Sequence, residues 1–262
     1  TGVSTATAVK NSNVQDPPQE KLQPLINLYN QKKLETVFKE AQKLSKKYTK
    51  SPVLWNLMGA SAAQIGKPDE AVLAFTKAIS INPNNAEAYN NLGNALKDQG
   101  KLDEAIEAFK QAVSIKPDFA EGYCNIGITF HNQGKFDDAI EAYKKAISIQ
   151  PDYAAAYYNT GLTFQSQNKL DDAIKAYKKA VSINPKICQA YNNIGVSLRG
   201  KGNLDEAIKA MKRGVSIKPD YAEGYFNMGV TLKEQGKMKE SVEALKKATS
   251  IKPNYAEAHN NL

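Results

Sequence analysis

Apolar residues recur three and four places apart through most of this chain. In AEAYNNLGNALKDQGKLDEAIEAFKQAVSIKPDF, residues 86–119, Tyr89, Leu92, Gly93 and Leu96 stand at i, i+3, i+4 and i+7, one face of a helix. Ala105, Ile106, Phe109, Ala112 and Val113 mark the corresponding face of a second helix. Gly100 separates the two. Pro117 ends the second, because proline lacks the amide hydrogen a helix needs. The stretch predicts a helix, a turn and a helix.

The pattern returns in steps of 34 residues, at Ala120, Ala154, Cys188, Ala222 and Ala256, and earlier at Pro52. Six full units result, spanning 52–255. Each closes on a proline, from Pro83 to Pro253, and the residue after it, as in Asn84, Asp118, Asp152, Asp220 and Asn254, is expected to cap the next helix; Lys186 is the exception. Gly66, Gly100, Gly134, Gly202 and Gly236 mark the turns inside units, with Asn168 in their place once. Small residues recur at Gly59, Gly93, Gly127, Gly161, Gly195 and Gly229 in first helices and at Ala71, Ala105, Ala139, Ala173 and Ala207 in second helices. They are expected to let helix backbones approach closely.

Residues 18–51 keep the phase in two amphipathic helices without these small residues, as a degenerate N-terminal capping unit would. Pro24 suits the first turn of its first helix. Residues 1–17 are polar, lack helical periodicity and end at Pro17-Pro18, which reads as a flexible tail. Residues 256–262 open a further unit and stop. They are too short to cover the apolar face carrying Met238, Val242 and Leu245, so self-association through this end is expected.

The succession of Tyr or Trp, Gly, Ala, an aromatic, Ala and Pro at these spacings resembles the tetratricopeptide repeat, over residues 18–262. The resemblance implies an all-α fold, a right-handed superhelical solenoid of stacked antiparallel helix pairs whose first helices line a concave groove. The wording of residues 86–119 is similar to the repeat arms of O-linked N-acetylglucosamine transferases and of bacterial glycosyltransferases or sulfotransferases. That likeness implies an alternative, in which the chain presents substrates to a catalytic domain outside it.

Opposite the apolar stripe of the first helices runs a column of asparagines, Asn91, Asn125, Asn159, Asn193, Asn227 and Asn261. One turn on, Asn94 is followed in the series by Ile128, Leu162, Val196 and Val230. The amides suit the backbone of an extended peptide and the aliphatic column suits its side chains. The resemblance implies the same role for such a ladder. A structural reading competes, in which the asparagines brace neighbouring first helices and the aliphatics pack across the inner curve. Tyr158, Phe226, His131 and Arg199 vary from unit to unit, where selectivity for a partner would arise. Some relatives hold chaperone C-termini with lysines, but before the ladder positions stand Asn90, Cys124, Tyr158, Asn192 and Phe226.

Composition narrows the classes further. With 42% hydrophobic and 24% charged residues the chain has the balance of a globular protein, and no run is long enough to span a bilayer. Cys124 and Cys188 lack metal-ligand spacing and read as thiols of a reducing, cytoplasmic compartment. The net charge of +8 resides partly in Lys144-Lys145, Lys178-Lys179, Lys212-Arg213 and Lys246-Lys247. The helix dipole accounts for bases after acids in each second helix, which makes nucleic acid the lesser reading. His131 and His259 are the only histidines, and Cys124 and His131, seven residues apart, lie about 10 Å from each other along a helix. No catalytic site and no cofactor or metal are expected. The reading is a scaffold that binds a protein or peptide in the groove, with a substrate-presenting arm and a self-assembly module as its alternatives.

Overall fold

The computed structural model describes residues 16–262. Among them stand fifteen helices and no strand. They are α1 (Gln19–Asn30), α2 (Leu34–Ser45), α3 (Pro52–Gln64), α4 (Pro68–Ile81), α5 (Ala86–Asp98), α6 (Leu102–Ile115), α7 (Ala120–Asn132) and α8 (Phe136–Ile149). Then follow α9 (Ala154–Ser166), α10 (Leu170–Ile183), α11 (Cys188–Gly200), α12 (Leu204–Ile217), α13 (Ala222–Glu234), α14 (Met238–Ile251) and α15 (Ala256–Asn261). The described chain divides after Asp118 into two compact units, α1–α6 and α7–α15. Within each unit an odd-numbered helix packs on the even-numbered helix after it, and that helix packs on the next pair. The tail expected over 1–17 lies outside the described residues except for its end. There Pro17 is buried and the Asp16 carboxylate accepts the Ser51 hydroxyl at 2.5 Å.

The repeated pattern acts first through the contact inside each pair. A Cβ built on Gly93 would stand 2.6 Å from the Phe109 ring, and one on Gly127 or Gly161 would stand 2.5 Å from Tyr143 or Tyr177. Each first-helix glycine is the seat of one large side chain from the second helix. The close approach is therefore of ring to backbone, more than of backbone to backbone. At Gly195 a neighbouring backbone atom, the Ala207 carbonyl oxygen at 2.9 Å, also comes under 3.0 Å. In α14 Ser241 replaces the alanine of the other second helices, and its buried hydroxyl donates to the Gly229 carbonyl at 2.8 Å.

The buried face of α5 is broader than a single stripe. Ala88, Asn90 and Ala95 are buried along with Gly93 and Leu96, while Tyr89 and Leu92 are half-buried. The reason is that α5 meets α3, α4 and α6, so neighbours cover it on more than one side. Second helices have fewer neighbours and keep a wide outer face in water, as the exposed charges of α6 and α8 show.

The capping expectation fails at each residue it named, Asn84 included, since Asn85 is the cap of α5. The cap position falls one residue later, at Phe119, Tyr153, Ile187, Tyr221 and Tyr255, and makes no side-chain cap bond. Tyr153 and Ile187 instead pack against the neighbouring cores, and burying an aromatic or aliphatic group of that size outweighs one cap bond of about 1 kcal/mol. Asn85 and Ser51 are the caps that do form, accepting from Ala88 N at 3.0 Å and Leu54 N at 3.3 Å. Pro24 is also displaced from expectation, since α1 already begins at Gln19. It stands exposed inside the helix, where water can reach the carbonyl left without a donor.

The five turn glycines and Asn168 adopt positive φ as expected, and so does Lys32 at 61°. A lysine pays a steric penalty in this region that glycine avoids. Lys32→Gly is expected to stabilise the protein by about 1 kcal/mol, read as a higher urea midpoint at unchanged slope.

At the C-terminal end the expected bare apolar face is smaller than the sequence suggests. Leu245 is fully buried against Gly229, because it occupies the slot that rings fill in other pairs. Val242 is half-buried, and Met238 remains 55% exposed.

Candidate functional site

The first helices carry the candidate residues because their glycine face is taken by the second helix of the pair. What remains of their surface holds the asparagine column. In the unit formed by α7–α15, three ladder amides reach back one repeat and donate to the residue just before the preceding ladder asparagine. Asn159 Nδ2 lies 3.7 Å from Cys124 Sγ, Asn193 Nδ2 lies 3.3 Å from the Tyr158 hydroxyl, and Asn227 Nδ2 lies 3.1 Å from Asn192 Oδ1. Asn192 Nδ2 in turn donates to Asn193 Oδ1 at 3.4 Å. The ladder thus braces consecutive first helices and fixes the orientation of its own amides. Asn261 departs from this, donating to the Glu257 carbonyl of its own helix at 2.8 Å.

The side-chain carbonyls of Asn159 and Asn227 accept nothing from the described residues, and both side chains are half-buried. Beside them Ile128, Leu162, Val196 and Val230 are half-buried as well. The first three lean on the cores of the neighbouring pairs. They combine a packing duty with a remaining apolar surface. Asn125 is half-buried, and Asn91 and Asn94 stand half-buried on α5, where Asn94 Oδ1 accepts from Lys97 at 3.2 Å.

The variable residues are held by their own contacts. Tyr158 stacks obliquely at 5.7 Å on Tyr177, and burial pushes its phenol up against the opposing bond from Asn193. Phe226 rests on Tyr255 at 5.1 Å, and Arg199 lies 3.9 Å from the Glu234 carboxylate. His131 Nδ1 meets the Thr163 hydroxyl at 2.9 Å, and the ring packs 5.4 Å from Phe136. Burial lowers its pKa, which keeps the imidazole neutral at pH 7. His131 and Cys124 thus have separate partners. Among the described residues no group of His, Cys, Asp or Glu is placed to hold a metal ion. No described helix is long and apolar enough to cross a membrane.

One set of contacts has no counterpart in the sequence reading. Gln99, Gln167 and Gln235, just past the ends of first helices, donate to Asp69, Asp137 and Asp205 of the preceding second helices at 2.7, 3.0 and 2.6 Å. Lys201 does the same to Asp171. The signal was present as Asp and Gln repeating 30 residues apart, but each looks like an ordinary surface polar group when taken singly.

Comparison with known proteins agrees with this architecture. A family model described as TPR repeat matches residues 93–134, 129–167, 195–236 and 231–262. Two models described as tetratricopeptide repeat match 74–107 and 176–209, and 52–85 and 154–187. No curated protein matches the chain. Among solved structures, MamA is 35% identical at a TM-score of 0.57, over 63% of this chain and 97% of its own. YrrB, described as a TPR protein with an unusual peptide-binding site, is 26% identical at 0.58, over 72% of this chain and 98% of its own. The Cut9-Hcn1 hetero-tetramer of the APC/C shares the fold at 19% identity and 0.71, over 91% of this chain and 47% of that one.

Proposed function

The chain belongs to the tetratricopeptide repeat family, and on that premise we propose that it is an interaction scaffold whose first helices in residues 119–262 take an extended peptide segment of a partner protein. One observation carries the reading. Ladder amides are held in place through their nitrogens while the carbonyls of Asn159 and Asn227 keep their acceptor capacity, next to a half-exposed aliphatic column. An extended peptide has backbone N–H groups to donate to such carbonyls and alternate side chains for the aliphatics. YrrB, with its peptide-binding site, supports the same use of the fold. Tyr158 and Phe226 supply rigid aromatic surface at low conformational cost, and His131 and Arg199 add polar selectivity. The reading as a transferase's substrate-presenting arm rests on the likeness of the repeat wording alone.

The test is selection of a phage-displayed peptide library on the chain, followed by fluorescence anisotropy with the selected peptides. Asn159→Ala, Asn193→Ala and Asn227→Ala together are expected to weaken binding by about 2 kcal/mol, roughly thirtyfold, with helix content unchanged. Equal affinity in a folded triple variant would leave the asparagines a bracing role only.

A further inference from the structure

The sixth residue of each repeated second helix points outward and changes character along the chain, from Leu73 through Glu107, Glu141, Lys175 and Lys209 to Glu243. Where it is glutamate in α6 and α8 it pairs with the lysine three residues on, Glu107 with Lys110 at 2.8 Å and Glu141 with Lys144 at 2.6 Å. In α10 and α12 the same place is a lysine, so the pair becomes a repulsion. Lys175 joins Lys178 and Lys179, and Lys209 joins Lys212 and Arg213, at the i, i+3 and i+4 positions that share a face. All six are exposed, and no ion pair joins any of them to a described residue.

The helix dipole, to which the sequence pattern assigned the bases of these second helices, does not account for them, because neither helix has a base in its last turn. Two of the four acids of these helices are engaged elsewhere. Asp171 is held by Lys201, and Asp205 accepts from Gln235. Both helices pack on α11, and Ala210 of α12 reaches the apolar cluster that holds Tyr177 of α10 together with Ala190 and Ile194 of α11.

We propose that the outer faces of α10 and α12 form a second docking surface, for an acidic segment of a protein partner, separate from the first-helix face. Six like charges on neighbouring helices gain from carboxylates that relieve their repulsion. Asp172 and Glu206 stand exposed at the start of each triad and interrupt the positive surface. A nucleic-acid backbone carries closely and evenly spaced charge and needs an unbroken track, whereas a peptide can place its carboxylates on the two triads and leave the acids unopposed.

Fluorescence anisotropy of a labelled oligoglutamate peptide with the whole chain tests this. Saturable binding at low ionic strength is expected, weakening as salt is added. The double variant Lys175→Glu, Lys209→Glu restores the glutamate found in α6 and α8, so it should fold as the parent does while binding about tenfold more weakly. Asn159→Ala, Asn193→Ala and Asn227→Ala together should leave oligoglutamate binding unchanged. The proposal is overturned by absence of binding at low salt, by equal binding of the charge variant, by loss in the asparagine variant, or by tighter binding of an oligothymidylate of equal charge.

Discussion

Gly127→Val is expected to destabilise the protein by about 3 kcal/mol or more, although valine is the better helix former of the two. A bare Cβ at this position would already stand 2.5 Å from the Tyr143 ring, with two further ring atoms at 2.7 and 2.9 Å. Tyr143 is 1% exposed and cannot swing outward without opening the core of its pair. The cause is separable from any other duty of the glycine. With Tyr143→Ala in the background the cost of Gly127→Val should fall by more than half, because the ring that valine meets is gone. Urea denaturation of the four chains gives the coupling directly. Equal costs in the two backgrounds would assign the glycine to backbone contact instead.

Tyr177→Ala is expected to cost about 3–5 kcal/mol, the range for emptying an aromatic site in a core that cannot collapse. Its side chain is fully buried and shares a cluster with Ala173, Ala190 and Ile194, with Tyr158 at 5.7 Å. Tyr177→Phe separates the ring from the hydroxyl, which donates to Gln165 Oε1 at 2.7 Å. Phenylalanine fits, since Phe75 and Phe109 fill the same place in earlier pairs. The loss should then be about 1 kcal/mol, because Gln165 is only half-buried and water can replace the missing donor. Thermal denaturation followed by circular dichroism orders the variants as parent, Phe, Ala.

The helices and the packing of each first helix on the second were legible because their signals are local and repeated. The seating of Phe109 on Gly93 was not, although the same spacing of sixteen recurs at Gly127 and Tyr143, because a small residue marks a close approach without saying whether a backbone or a ring makes it. Capping was misread because Asp118 and Asp152 are good cap residues by type, while the choice of cap depends on where Phe119 and Tyr153 bury their rings, which is a tertiary matter. The ladder could be located from helical angle alone, but the donor role of its nitrogens could not, since that depends on the residue 35 places earlier, whether Cys124, Tyr158 or Asn192. Lys32 shows the opposite limit: a residue type that disfavours positive φ was placed there by a turn whose neighbours offer no glycine.

The bonds that tie one pair to the next, Gln to Asp and ladder amide to its acceptor, span 30 and 35 residues respectively. Ordering a pair against its neighbour therefore closes a loop of nearly constant length at each step, and the entropy lost grows only with the logarithm of that length. Within either unit, structure can start at whichever pair is most stable and spread outward one pair at a time. A weak interface then acts as a brake on that spread, and a defect such as a disrupted glycine seat should leave the pairs on one side of it folded while those on the other side fray.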